Sequence, residues 1–240
     1  MKVVNVKQGT EQWFQARCGI VTASEFDNLV TPTWKPRAGE MVKSYMHRKL
    51  AERWRGEPLH SWAGNAAEQG SIREDEAVGV YGYEQWTEHG LVWKVVGFIT
   101  SDDGRMGCSP DSILATGSTA PTFDPALDVF VRGIESKCPE PQTHVKYLLS
   151  GELPKEYAAQ VQGSMLVTGA AVWTFLSYAR GFPPLVLEVP RDEEAIEVLS
   201  EVIEEFNVDL DAAYARLVEI NGGEPERTQQ QKAGAAWQNT

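Results

Sequence analysis

Apolar residues in the first part of the chain recur at helical spacing. Val42, Met46, Leu50 and Trp54 are four residues apart, so they share one face of a helix that should run from about 40 to 55. Most basic side chains of this segment, Lys49 among them, fall outside that face. Spacing and start signals predict three more helices nearby, over residues 11–17, 23–29 and 65–76.

From residue 85 onward the pattern changes to that of strands. Short β-branched and aromatic runs alternate with Gly, Asp and Pro turns. Predicted strands lie at 91–96, 97–100, 112–114, 127–135, 171–178 and 185–189. Predicted helices lie at 141–149, at 154–168, where Pro154 suits the first helical position, and at 192–217.

This order of elements predicts an α/β fold with a central mixed β-sheet flanked by helices. A single domain should cover residues 1–221. The remaining segment, 222–240, is rich in Gly and Gln and is expected to be disordered.

Composition is that of an ordinary globular chain. The 240 residues are 42% hydrophobic and 23% charged. No stretch is apolar enough to cross a membrane and the N-terminus lacks a signal-peptide core, so a cytoplasmic location is expected. Three cysteines without CxxC spacing and four scattered histidines argue against a disulfide framework or a zinc site. A bound metal should therefore be a hard, oxygen-ligated ion, Mg²⁺ or Mn²⁺.

Charge is distributed unevenly along the chain. The net charge is −12, yet residues 1–60 carry ten Lys or Arg against six Asp or Glu. Residues 185–225 carry two basic residues against twelve acidic ones. This polarity suits a protein that holds a polyanion on one surface and repels it elsewhere. An acidic helix that only keeps the protein in solution explains the C-terminal excess equally well.

Two carboxylates and a lysine are the main candidates for chemistry. Glu135 and Lys137 are two residues apart behind an apolar run, so on a strand they leave the same face. Asp111 follows Pro110, which suits a sharp entry into a strand. Neighbouring carboxylates repel, and a divalent cation relieves that repulsion. The pattern predicts a metal-dependent nuclease whose ammonium acts on the attacking water, although Glu-x-Lys also occurs on solvated strand faces.

Five short motifs follow one another along the chain. They are Arg17-Cys-Gly-Ile-Val-Thr-Ala-Ser24, Gly64-Asn-Ala-Ala-Glu68, Cys108-Ser-Pro-Asp111, Ile134-Glu-Ser-Lys-Cys-Pro139 and Ala159-Gln-Val-Gln162. In this order they resemble the phage lambda exonuclease family of viral recombination nucleases, within the PD-(D/E)XK, restriction endonuclease-like superfamily. The resemblance covers roughly residues 9–205, which is most of the chain.

The resemblance implies roles for individual residues. The Mg²⁺ ligands it implies are Asp111, Glu135, the backbone carbonyl of Ser136 and Glu68. Lys137 would act on the water, and Gln160 would help to orient it. The residues that match positions holding a 5′-terminal phosphate of DNA are Arg17, Ser24 and Ser109.

The resemblance also implies an activity and partners. The activity is Mg²⁺-dependent 5′→3′ degradation of one strand of linear duplex DNA, with Mn²⁺ as a possible substitute. It would release 5′-mononucleotides and leave a 3′ single strand for recombination by annealing. Family members form a ring-shaped trimer around DNA and work beside a single-strand annealing protein in a phage-infected or lysogenic bacterium.

Alternative interpretations stay open at this stage. For Arg17 the alternative role is a salt bridge at a helix end, and for Ser24 it is that of an N-cap. Glu68 can lie on an exposed helix face, and Gln160 can be a buried polar residue satisfied within its own layer. An endonuclease or end-trimming nuclease of the same superfamily, or a DNA-binding recombination accessory that no longer hydrolyses, would share these motifs.

The linker between the two carboxylates departs from the family. Asp111 and Glu135 are separated by residues 112–134, a longer stretch than the compact linker typical of the phage enzyme. It is rich in turn residues, and an extended hairpin tip is expected there.

Overall fold

The computed structural model describes residues 1–59, 78–79, 81–82 and 84–227 of the chain. The strands in this part are β1 (Lys2–Val4), β2 (Val21–Thr22), β3 (Val92–Lys94), β4 (Phe98–Thr100), β5 (Met106–Cys108), β6 (Ser112–Thr116), β7 (Val129–Lys137), β8 (Val172–Ser177) and β9 (Leu185–Pro190). The α-helices are α1 (Glu11–Arg17), α2 (Glu40–Arg55), α3 (Pro141–Ser150), α4 (Lys155–Thr168) and α5 (Glu193–Asn221). A 3₁₀-helix covers Ala23–Asn28, and residues 78–79, 81–82 and 84–89 are also helical.

The strands form two mixed sheets with helices around them, which confirms the predicted fold class. The larger sheet has the order β3-β6-β7-β8-β9, with β7 and β8 parallel and the other pairs antiparallel. The smaller sheet, β1-β4-β5-β2, was not anticipated as a separate unit. Its strands have two or three residues each, which is too short for a period of two to be recognised.

A close helix contact brings α4 against the 3₁₀-helix in the main core. A Cβ added to Gly163 would lie 2.3 Å from the Cδ2 atom of Phe26, so only glycine lets the two helices approach this closely. Phe26 is fully buried in a cluster that also contains Ile113 of the larger sheet and Leu199 of α5. The contact fixes α4 beside β7, the middle strand of the larger sheet, which carries Glu135.

The linker between β6 and β7 does not extend as a hairpin tip, contrary to expectation. It folds back along β3, where the amide of Val95 donates to the carbonyl of Pro121 at 2.7 Å and the amide of Phe123 donates to Val95 at 3.1 Å. Phe123 is 2% exposed and packs in the main core. The linker is therefore tied to the domain next to the larger sheet at Phe123, while residues 119–122 and 124–127 are exposed.

A buried ion pair anchors the base of this linker. Lys94 Nζ lies 3.1 Å from Asp128 Oδ2, and both side chains are inaccessible to solvent. The ammonium also donates to Ser118 Oγ at 3.1 Å and to the carbonyl of Ala120 at 2.7 Å. Burial alone would raise the pKa of Asp128, but the amide of Asp124, the Lys94 ammonium and Ser118 together lower that pKa to about 2.

One local prediction was wrong, and one basic residue of α2 is buried. Pro154 is the N-cap of α4, in an extended conformation, and the helix itself begins at Lys155. Lys49 is 4% exposed, because its ammonium pairs with Glu25 at 3.0 Å and Glu52 at 3.2 Å. The helix predicted over 65–76 lies outside the described residues.

Candidate active site

The first cluster of predicted residues forms where β6 and β7 separate. The amide of Asp111 donates to the carbonyl of Ile134 at 3.1 Å, just before β6 begins. The next amide of β7 on this side, that of Ser136, donates to a side chain instead of to backbone. Its acceptor is Asp111 Oδ2, at 2.6 Å. In a strand the N–H and C=O of one residue leave the same edge, so the Ser136 carbonyl points towards the side on which the Asp111 carboxylate lies.

Glu135 is the buried centre of this cluster. It is 1% exposed, and its Oε1 accepts hydrogen bonds from Lys137 Nζ and, at 2.6 Å, from Gln160 Nε2. Lys137 also lies over the ring of Tyr157, 5.4 Å from its centroid. The strand period brings Lys137 to the carboxylate, and the close packing of α4 brings Gln160. The structure thus places Asp111, Glu135 and these two partners in one site.

The donor atoms of this cluster suit a hard divalent cation. Two carboxylates and a backbone carbonyl are oxygen ligands of the kind that Mg²⁺ and Mn²⁺ prefer. A carboxylate as buried as that of Glu135 needs positive charge beside it, and Lys137 supplies one such charge. A metal cation would supply the charge that Glu135 and Asp111 together still require. Among the described residues, no three His, Cys, Asp or Glu side chains converge on one point. Glu68, the fourth predicted ligand, lies outside the described part of the chain.

The second cluster holds the three residues predicted to bind a phosphate. Arg17 Nη1 donates to Ser109 Oγ at 3.0 Å, and Arg17 Nη2 donates to Ser24 Oγ at 3.0 Å. The N–H groups of Arg17 therefore span two hydroxyls that come from different parts of the chain. Nη2 also lies 3.3 Å from Thr22 Oγ1, a residue that the sequence did not single out.

Trp13 is a further member of this cluster that sequence reasoning missed. The guanidinium of Arg17 lies over the Trp13 ring, 4.3 Å from its centroid. The indole Nε1 of Trp13 donates to Ser109 Oγ at 2.9 Å. Trp13 precedes Arg17 by four residues on α1, so the two share a helix face. That spacing is the signal that would have identified it.

Burial and nearby charges set the electrostatics of the second cluster. Burial lowers the pKa of Arg17, and the carboxylate of Glu25 opposes that shift. The pKa of Glu25 is itself lowered: burial would raise it, but Lys49 and Arg48 hold its carboxylate at 3.0 and 2.8 Å. Arg17 keeps its charge under these conditions, since a guanidinium does not deprotonate in proteins.

The two clusters are joined by one short stretch of backbone. Ser109 belongs to the second cluster and Asp111 to the first, with only Pro110 between them. Gln8 Nε2 donates to the carbonyl of Pro110 at 2.6 Å and holds this stretch in place. The buried thiol of Cys108 lies between the clusters: burial raises its pKa, Glu135 raises it further and Arg17 opposes the shift.

Comparison with known proteins assigns the family. The sequence profile of the YqaJ-like viral recombinase domain matches residues 12–171, about two thirds of the chain. The chain belongs to this family. The lambda exonuclease-like resemblance drawn from the five motifs is thereby confirmed. No curated protein sequence matches the chain.

Solved structures of exonucleases share this fold. An alkaline exonuclease from Laribacter hongkongensis, LHK-Exo, is 26% identical, with a TM-score of 0.70 over 89% of this chain and 98% of its own. The LHK-Exo complex with dAMP matches to the same extent. A phage-related exonuclease from Haemophilus somnus is 14% identical, with a TM-score of 0.56 over 82% of this chain and 96% of its own, and supports the fold alone. None of the helices in the described ranges is long and apolar enough to span a membrane.

Proposed function

We propose that this protein is a Mg²⁺-dependent 5′→3′ exonuclease that degrades one strand of linear duplex DNA from its end. The products would be 5′-mononucleotides and a 3′ single strand ready for annealing in recombination. Mn²⁺ would substitute for Mg²⁺, because the donor atoms are hard oxygens that suit either ion.

The observation that carries the proposal is the adjacency of an anion pocket and a carboxylate pair. Two residues of extended chain span at most about 7 Å, so the Cα atoms of Ser109 and Asp111 lie within that distance and keep the two clusters side by side. A terminal phosphate bound at Arg17 would leave the next phosphodiester of the same strand beside Asp111 and Glu135. This spacing favours cleavage one nucleotide in from a 5′ end.

The side chains of the first cluster have complementary roles in this reaction. A divalent cation held by Asp111, Glu135 and the Ser136 carbonyl, with Glu68, would offset charge on the scissile phosphate and on the leaving 3′ oxygen. Lys137 would position the attacking water and, in its neutral amine form, accept the proton that the water loses.

Gln160 acts from the neighbouring helix. Its Nε2 donates to Glu135 Oε1, which fixes the orientation of that carboxylate. Its remaining amide oxygen is an acceptor that can align the water.

The relatives support the same reading. LHK-Exo is an alkaline exonuclease, and its complex holds dAMP. A nucleoside monophosphate of that kind is the product that we propose for this chain. From the motif resemblance to the lambda exonuclease family, we also propose a homotrimer in the bacterial cytoplasm that works with a single-strand annealing protein. Size-exclusion chromatography with light scattering tests the trimer.

The test of function uses three forms of duplex DNA. Linear duplex with 5′-phosphate ends, the same duplex with 5′-hydroxyl ends, and covalently closed circular duplex are incubated with Mg²⁺ or with chelator. The exonuclease should degrade the first fastest, spare the circle and stop in chelator. Cleavage of the circle would instead indicate an endonuclease.

A second experiment separates an enzyme from a silent DNA-binding accessory. The variant Lys137→Ala should lose at least a hundredfold in rate, since general acid–base groups contribute about 10²–10⁴. It should still bind duplex ends. Lys146→Ala, an exposed lysine on α3, is the matched control and should digest DNA normally. If Lys137→Ala digests DNA as fast as the control, the site assignment is wrong.

A further inference from the structure

Trp13 makes a hydrogen bond that determines how the phosphate pocket can act. Its indole N–H lies 2.9 Å from Ser109 Oγ and 3.1 Å from the carbonyl of Gly97. A tryptophan N–H can only donate. Ser109 is therefore an acceptor towards Trp13. The same N–H is shared with the carbonyl of Gly97, just before β4, and this second acceptor fixes the direction of the indole.

The hydroxyl of Ser109 receives a second donor from the opposite side. Arg17 Nη1 lies 3.0 Å from the same oxygen, and a guanidinium also can only donate. A serine hydroxyl has two acceptor lone pairs and one proton. Both lone pairs are taken by Trp13 and Arg17, so the proton is the one interaction that Ser109 has left to offer a ligand.

From this geometry we infer that Trp13 is a positioning residue that makes the Ser109 hydroxyl an obligatory donor. The inference rests on the proposed function, and it names the specificity of the same pocket. With Ser109 and Arg17 both donating, this side of the pocket selects a group that only accepts. A terminal phosphate offers three acceptor oxygens, whereas a 5′-hydroxyl offers one oxygen that carries its own proton.

The indole also supports the cation through its ring. The Arg17 guanidinium lies 4.3 Å from the Trp13 ring centroid and 5.9 Å from that of Phe98, so both aromatic rings are within cation–π distance of it. The ring and the N–H therefore have separable effects. Replacing Trp13 by Phe keeps an aromatic face for Arg17 and removes the donor to Ser109.

The experiment measures the preference for phosphorylated ends. Dissociation constants and kcat/KM are compared for linear duplexes with 5′-phosphate and 5′-hydroxyl ends, with binding measured in Ca²⁺ to prevent turnover. Trp13→Phe should lower the phosphate preference about two- to tenfold, the size of one neutral hydrogen bond. Affinity for 5′-hydroxyl ends should not change, whereas a general structural defect would weaken both.

Three further variants complete the test. Trp54→Phe removes an indole that packs on Tyr214, 5.9 Å away, and should leave the preference as in wild type. The double variant Trp13→Phe/Ser109→Ala should show the same preference as Ser109→Ala alone, because Trp13 acts through that hydroxyl. Site-specific benzothienylalanine at position 13, which keeps the bicyclic shape without the N–H, should reproduce Trp13→Phe even if the phenylalanine variant folds poorly.

The possible outcomes are distinct. A wild-type preference that survives in both Trp13 variants would overturn the inference, and so would losses that simply add in the double variant. A wild-type protein with no preference for 5′-phosphate would instead contradict the proposed pocket function itself.

Discussion

Replacing Arg17 is the perturbation that most directly weakens the proposed phosphate pocket. Arg17→Ala removes both donors, to Ser109 Oγ and to Ser24 Oγ, together with the positive charge. Arg17→Lys keeps the charge but loses the fork that reaches two hydroxyls at once. The two variants therefore separate the contribution of charge from that of geometry.

The size of the effect follows from the contacts. The guanidinium is partly buried against Trp13 and near Phe98, so a bound phosphate would gain charge-assisted hydrogen bonds of about 1.5–3 kcal/mol. A difference of about 1.36 kcal/mol is tenfold in rate. Arg17→Ala should thus reduce the rate advantage of 5′-phosphate over 5′-hydroxyl ends about 10- to 150-fold, and Arg17→Lys should be intermediate.

The assay compares initial rates of nucleotide release from the two kinds of end under identical conditions. Arg55→Ala is the control. Arg55 is exposed at the end of α2, within the same basic range of residues 1–60, and its surface ion pair with Glu57 at 3.2 Å contributes little. Melting temperatures of all variants show whether they are folded. A folded Arg17→Ala variant that keeps the wild-type ratio of rates would show that Arg17 does not bind the terminal phosphate.

Two other predictions concern the carboxylate cluster and the linker. Gln160→Leu removes the amide that donates to Glu135 at 2.6 Å. It should raise the Mg²⁺ concentration for half-maximal activity about 10- to 100-fold in a metal titration. An unchanged Mg²⁺ requirement would argue against a role of Gln160 in orienting this carboxylate. Asp128, whose pKa in the folded protein is about 2, stabilises the fold above the unfolded pKa of about 3.9, and this contribution is lost as pH falls towards 2. Asp128→Asn should therefore be less stable than wild type at pH 7 in denaturant unfolding, with the gap narrowing below pH 4, while exposed Asp209→Asn shows no such gap.

Much of the first cluster could be predicted because its geometry is local. Glu135 and Lys137 are related by the strand period, and Pro110 marks the turn before Asp111. The contact with Gln160 depends on the approach of α4 to Phe26, which Gly163 permits but sequence spacing does not reveal. Residue types indicated the chemistry, and tertiary packing determined the distances.

Other features could not be predicted because their partners are distant along the chain. The linker is rich in turn residues, so it was expected to form an extended hairpin tip. The ion pair of Lys94 and Asp128 at its base joins residues far apart in sequence and leaves no pattern that predicts it. Lys49 follows a polar helical pattern, yet it is buried because Glu25 and Glu52 meet it. Trp13 had a visible i,i+4 relation to Arg17, but only the structure shows its indole N–H directed at Ser109.

The central claim is that a 5′ phosphate is held beside the carboxylates that cut the same strand. The most direct measurement uses linear duplex labelled at either the 5′ or the 3′ end of one strand, digested with Mg²⁺, with products resolved over time. With the phosphate pocket beside the carboxylates, the 5′ label should be released at once as a mononucleotide, while the 3′ label stays in long single strands. Early release of the 3′ label as mononucleotide, or of internal fragments from either substrate, would contradict it.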